Sequence, residues 1–75
     1  MNLFLDKLSE DYAIPRETLD TAWVKAEYHL CYKEKVLPED FTKAHIAAIH
    51  KSVKEQTGIA EIEKKVLDEV FGKAL

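Results

Sequence analysis

The side chains that could bind a transition metal are the three histidines and the single cysteine, at positions His29, Cys31, His45 and His50. Zinc ligands on a helix are usually spaced i, i+4, and short zinc motifs pair cysteines as Cys-x-x-Cys. His29 and Cys31 are two residues apart and His45 and His50 are five apart, so neither pair shares a helix face. We therefore expect no metal site and no cofactor. Cys31 is expected to be a small core residue, because no base is spaced to activate its thiol as a nucleophile. A single cysteine cannot form an intramolecular disulfide, which fits a reducing cytosolic setting.

Acid-base catalysis would need carboxylates that converge on one substrate atom. The acidic pairs here are adjacent doublets, at Glu10–Asp11, Glu39–Asp40 and Asp68–Glu69. A helix turns neighbouring side chains about 100° apart, so such a doublet diverges and is typical of a solvated surface. The chain also lacks a glycine-rich phosphate loop, an Asp/Asn-rich calcium loop and the Asp-Ser-Leu attachment site of acyl carrier proteins. The sequence predicts a protein that is not an enzyme.

The length, composition and charge of the chain limit the kinds of protein it can be. The 75 residues are predicted to form one domain over positions 1–75, and 47% apolar with 33% charged residues favours an ordered fold. Eleven basic against fourteen acidic residues give a net charge of −3, the wrong sign for general nucleic-acid binding. The chain has no apolar stretch near the ~20 residues of a bilayer span, and no basic leader followed by an apolar block. We expect a soluble cytoplasmic protein without a membrane partner.

Apolar spacing in the first half of the chain predicts two helices. The first is capped by Asn2 and ends near Tyr12 or Ala13, because Pro15 forces the preceding residue into an extended conformation. The second begins at Pro15 and runs to about Lys35, with basic residues at its negative carboxyl end.

Start and stop signals in the second half of the chain predict two further helices. The run Val36-Leu37-Pro38-Glu39-Asp40 is read as the start of a third helix, which ends where Gly58 adopts the left-handed conformation. A fourth helix follows from Ile59. Short connections favour an antiparallel hairpin of residues 15–35 and 38–57, so the predicted fold class is all-α, a small four-helix bundle built on that long hairpin.

The second helix carries two apolar strips. The main strip, expected to face the core, contains Leu19, Ala22, Trp23, Ala26 and Leu30. The adjoining strip contains Val24, Tyr28 and Cys31, with Tyr32 one turn beyond Tyr28. In so short a domain this second strip either receives the fourth helix or stays open as a tyrosine-rich interface.

The third helix carries a local basic stripe. Between Phe41 and Lys54 the chain has no acidic residue, and its basic members are Lys43, His45, His50, Lys51 and Lys54. Lys43, His50 and Lys54 lie 7 and 4 residues apart, which aligns them on one face. An acidic protein partner fits this stripe. DNA is the alternative, although the stripe has no Arg, Asn or Gln to read base edges.

Residues 13–26, with the sequence AIPRETLDTAWVKA, resemble a helical segment of small or terminal regions of tailed-bacteriophage proteins. The shared pattern is aliphatic-Pro-x-Glu-Thr-aliphatic-x-x-Ala-Trp-x-Lys-Ala. The resemblance implies a virus-encoded accessory or virion-associated domain without catalysis, located in the host cytoplasm or the virion. It assigns no functional residue.

These observations predict a small protein-protein interaction domain. Its docking surface is expected to combine an apolar and tyrosine face with basic residues that steer an acidic partner; the residues are Val24, Tyr28, Tyr32, Lys43, His50, Lys51 and Lys54. One alternative is a self-associating structural protein, such as a homodimer, that buries the same strip against its own copy. The other is weak DNA binding by the basic stripe.

Overall fold

The computed structural model describes residues 2–74, with side chains described through Gly72. Within this range the chain is all-α and contains no strand: the helices are α1 (Leu3–Tyr12), α2 (Arg16–Glu34), α3 (Lys43–Gln56) and α4 (Ile59–Ala74), with a 3-10 turn at Pro38–Asp40. The predicted fold class is confirmed. None of the helices in this part of the chain combines the length and apolarity needed to cross a bilayer.

The boundaries of α1 follow from local chemistry. The Asn2 side chain accepts a hydrogen bond from the Leu5 backbone N–H at 3.2 Å, which confirms the predicted cap. After Tyr12 the chain turns through Ala13, whose φ is 54°, and the Ser9 hydroxyl donates to the Ile14 carbonyl at 2.7 Å. These contacts turn the chain sharply from α1 into α2.

The longest helix, α2, begins directly after Pro15 and ends where Lys35 adopts a φ of 53°. Its 19 residues span about 28 Å at a rise of about 1.5 Å per residue. The Arg16 guanidinium contacts the Asp6 carboxylate of α1 at 2.6 Å, so the first turn of α2 is tied to the preceding helix. The predicted limits of this helix, Pro15 and Lys35, are correct to within one residue.

The predicted start of the third helix is wrong. The Pro38–Asp40 segment closes on itself as a 3-10 turn, in which the Phe41 N–H donates to the Pro38 carbonyl at 3.2 Å. The α-helix begins at Lys43, because the Thr42 hydroxyl accepts from the His45 N–H and His45 Nδ1 accepts from the Thr42 N–H. This reciprocal cap is a stronger start signal than the proline, so the proline turn becomes part of the connection.

The end of α3 is confirmed at Thr57 and Gly58. Gly58 has a φ of 80°, and the following residue, Ile59, is fully buried. This is the predicted arrangement of a left-handed glycine followed by an apolar residue that packs back on the domain.

We expect Gly58→Ala to lower the free energy of unfolding by about 1–2 kcal/mol, because an L-residue at positive φ is strained. A methyl group built at Gly58 would meet no atom within 4 Å, so the loss comes from the backbone alone. Urea denaturation of the wild type and variant measures it. Gly72 lies inside α4, also with open space around it, and Gly72→Ala should be neutral or stabilising. Equal destabilisation by both changes would contradict this explanation.

The core lies where α1, α2 and α3 meet the first turn of α4. Its buried side chains are Leu5, Leu8, Leu19, Ala22, Ala26, Ile49, Val53 and Ile59. Helices α2 and α3 are antiparallel, since Gln56 at the end of α3 donates to the Ala22 carbonyl at 3.0 Å while Leu30, late in α2, borders the same cavity as Ala48. The long hairpin that the short connections predicted is therefore present.

The last helix packs on α3 and leaves the outer side of α2 uncovered. Among the side chains of α4 that the structure describes, through Gly72, only that of Ile59 is fully buried. Lys54 of α3 contacts Glu63 at 3.1 Å. Beyond that ion pair α4 exposes a stripe of apolar side chains, at Val66, Leu67, Val70 and Phe71. Of the two arrangements considered for the second strip of α2, the structure shows the open one.

Candidate docking surface on the second helix

The outer side of α2 exposes an apolar surface with two tyrosines. Tyr28 is 74% exposed, Tyr32 is 89% exposed and Val24 is about half exposed. The opposite side of the same helix is anchored in the core through Leu19, Ala22 and Ala26. Because the buried side fixes the helix backbone, the exposed side chains project from a rigid element. We call Val24, Tyr28, Cys31, Tyr32 and Leu37 the tyrosine face.

The chain segment after α2 turns the carboxyl half of this face into a shallow groove. Tyr28, Tyr32 and Leu37 border an open groove of about 670 Å³, and a second of about 440 Å³ lies between Glu27 and Leu37. Leu37 is 58% exposed. Its φ of −87° and ψ of 153° are extended, as expected for a residue before proline, so its side chain lies outside any helix.

The structure adds Leu37 to the predicted docking residues. Sequence reasoning placed this residue in the start of a helix and did not consider it for the surface. The signal that could have found it is the pair Leu37–Pro38 directly after a helix end, because a proline holds the preceding residue extended.

Trp23 lies on the side of α2 that faces the domain, as its position in the main strip predicted. Its indole N–H donates to the Glu27 carboxylate at 3.0 Å, and its ring lies 6.4 Å from that of Phe4 and 5.7 Å from that of His50. This aromatic cluster is partly buried against the core. It links the middle of α2 to α1 and α3.

Two of the three aligned residues of the basic stripe, His50 and Lys54, contact neighbouring helices. The His50 ring stacks on Phe4 of α1 with a centroid distance of 3.8 Å and an angle of 8°. Lys54 contacts Glu63 of α4, and His45 takes part in the Thr42 cap. Lys43 and Lys51 are exposed. The structure therefore divides the predicted stripe into residues that contact other parts of the chain and two exposed lysines.

His50 has an altered acidity. Burial against the neighbouring side chains, and secondarily the positive charge of Lys54, lower the pKa of His50 from its ordinary value of 6.5. The protonated ring is therefore less favourable in the folded chain than in the unfolded chain.

This difference predicts a pH dependence of stability. The unfolded chain takes up a proton at His50 near pH 6.5, whereas the folded chain takes it up only at lower pH. The free energy of unfolding should therefore decrease as the pH falls below 6.5 and stop decreasing on this account below the folded pKa. Urea midpoints at about pH 7.5 and about pH 5.5 measure the change in the range where histidine titrates.

His50→Gln is expected to reduce this decrease, while the control His29→Gln, at an exposed position, should keep it. If the His50→Gln variant loses as much stability on acidification as the wild type, the burial of His50 is not its source.

The described residues contain no group of three histidine, cysteine or carboxylate side chains placed to hold a metal ion. Cys31 is partly buried on the tyrosine face, so it is not the fully enclosed core residue that the sequence suggested. Comparison with protein-family models, curated proteins and solved structures finds no match to this chain.

Proposed function

We propose that this protein is a non-catalytic protein-protein interaction domain that docks a partner through the tyrosine face. The observation that supports this most directly is the exposure of Tyr28 and Tyr32, at 74% and 89%, on a helix whose other side is fixed in the core. Two tyrosines, a valine and a leucine exposed side by side form a patch of a kind that monomeric proteins seldom leave in water.

The chemistry of the face suits docking. A tyrosine side chain supplies a large contact area, loses little conformational entropy on binding, and keeps a hydroxyl for a hydrogen bond at the rim. The open, shallow groove beside Leu37 would add apolar contact area for the partner. Lys43 and Lys51, exposed on α3, would then influence the rate of encounter with an acidic partner more than the affinity.

DNA binding is the weaker alternative. Phosphate contacts need several unengaged basic side chains on one surface, and two members of the aligned row, His50 and Lys54, contact Phe4 and Glu63 within the chain. The phage resemblance of residues 13–26 fits an accessory or virion-associated role in the host cytoplasm or virion, and we keep it as part of the proposal.

Affinity capture from the native cell tests the docking role. Wild type, the double variant Tyr28→Ala, Tyr32→Ala and a control variant, Phe71→Ala, serve as baits; the control removes an exposed aromatic ring from α4. The proposal predicts a partner that the wild type and the control retain and the double variant loses. A partner retained equally by all three would place the binding surface elsewhere.

A further inference from the structure

The exposed side of α2 has the spacing of a two-stranded coiled-coil seam. Its outermost positions recur at alternating steps of three and four residues, at Thr21, Val24, Tyr28 and Cys31, with Glu17 and Lys35 one step further on each side. A seam with this period lets a helix lie along a second helix at a small crossing angle. The side chains of Val24 and Tyr28 are exposed and Cys31 is partly exposed, so the seam is open to a second helix.

The two borders of this seam carry different charges. On one side lie Asp20, Glu27 and Glu34, all acidic; on the other lie Lys25 and Tyr32. In coiled-coil nomenclature the acidic border occupies the g positions and the border with Lys25 and Tyr32 occupies the e positions. In a parallel pair, a g residue at position i of one helix meets the e residue at position i+5 of the other. Asp20 would then face Lys25 of the second copy, and Glu27 would face the hydroxyl of its Tyr32. Symmetry makes each contact twice.

An antiparallel pair would be electrostatically unfavourable. There the g border of one helix meets the g border of the other, which places Asp20, Glu27 and Glu34 against the same acidic residues of the second copy. Over the seam from Thr21 to Cys31 the parallel orientation therefore has the more favourable border charges. Glu17 and Lys35, one step beyond each end, would meet their own copies in a parallel pair and each other in an antiparallel pair.

We propose that the occupant of the tyrosine face is a second copy of this chain, with the two α2 helices parallel along the seam from Thr21 to Cys31. This inference rests on the proposed docking function and names the partner of the same site. The partner's Tyr32 reaches the border formed by Glu27, where Leu37 also lies, so the extended segment after α2 adds apolar contact at that edge. The seam is only three turns long, and the dimer is accordingly weak, with dissociation in the micromolar range.

Sedimentation equilibrium of the whole protein over micromolar to submillimolar concentrations tests self-association. The wild type should be in reversible monomer-dimer exchange. Lys25→Glu places an acid opposite Asp20 twice in the dimer and should weaken the dimer about tenfold. The double variant Asp20→Lys, Lys25→Glu exchanges the two charges and should recover an affinity within about threefold of the wild type. The pairing of Asp20 with Lys25 of the second copy would be overturned if Lys25→Glu dimerised as tightly as the wild type. It would also be overturned if the double variant dimerised no more tightly than Lys25→Glu.

Thiol crosslinking tests the orientation. Two single-cysteine proteins are compared: the wild type, with Cys31, and the variant Thr21→Cys, Cys31→Ser. The two cysteine positions lie about 15 Å apart along α2 at a rise of about 1.5 Å per residue. A parallel dimer brings each residue next to its own copy, so a short bis-maleimide should link both proteins. An antiparallel dimer can align at most one of them. A control with Lys51→Cys and Cys31→Ser, on the exposed side of α3, should not link.

The outcomes separate this inference from the docking function beneath it. A protein that stays monomeric at submillimolar concentration overturns self-association, and the docking function survives if the tyrosine double variant loses a captured foreign partner. If the wild type dimerises but only one cysteine position crosslinks, the parallel orientation is wrong. If the wild type stays monomeric and the wild-type and tyrosine double-variant baits capture the same proteins, the docking function fails as well.

Discussion

Leu19→Ala is expected to lower the free energy of unfolding by about 2–5 kcal/mol. Leu19 has no exposed surface and lies in the core beside Ala22, Ala26 and Val53, so truncation leaves a cavity that these neighbours can fill only in part. A domain of 75 residues buries a limited apolar area, and its total stability is of the order of a few kcal/mol. We therefore expect the variant to be largely unfolded near 25 °C.

Far-ultraviolet circular dichroism with urea titration measures this loss. The matched control is Leu3→Ala, which removes the same atoms from a side chain that is 75% exposed and should change the unfolding free energy by less than about 0.5 kcal/mol. Two variants of equal stability would show that the core of this domain does not centre on α2.

Tyr28→Glu is expected to weaken association through the tyrosine face by about a hundredfold or more. The change removes the largest side chain of the seam and places a negative charge there, next to the acidic border of Glu27. In a symmetric dimer the loss occurs twice. Glutamate is a good helix former, so the free energy of unfolding of the monomer should change by less than about 0.5 kcal/mol.

Sedimentation together with urea denaturation separates the two effects. The control is Phe71→Glu, which introduces the same charge at another exposed aromatic residue, on α4. Association lost in Tyr28→Glu and retained in Phe71→Glu locates the interface on α2. Loss in both variants would assign the interface to the apolar stripe of α4 or to a surface that includes it.

The helix ends that could be predicted from the sequence are those set by interactions between residues close together along the chain. Asn2 caps α1 through a bond three residues away, and Gly58 ends α3 through its own backbone conformation. The same reasoning failed at Pro38, where two local signals compete over five residues. A proline can open a 3-10 turn or an α-helix, and the reciprocal cap between Thr42 and His45 decided between them.

The candidate site was predictable in part. The strip with Tyr28 and Tyr32 follows from helical periodicity, but whether another helix covers it depends on long-range packing. The last helix had an apolar stripe suited to that role and packs on α3 instead. The basic stripe shows the same limit, because spacing aligned Lys43, His50 and Lys54 but did not reveal that Phe4 and Glu63 engage two of them.

The most direct test of the central claim is photo-crosslinking in the native cell, with a benzophenone amino acid in place of Tyr32 and, in a separate protein, in place of Phe71. Both positions carry exposed aromatic rings, Tyr32 at 89% and Phe71 at 65%, so the probe is accessible at each. The docking account predicts strong adducts with another protein chain, a second copy included, from position 32 and few from position 71. Adducts of equal yield from both positions, or none from position 32, would contradict it.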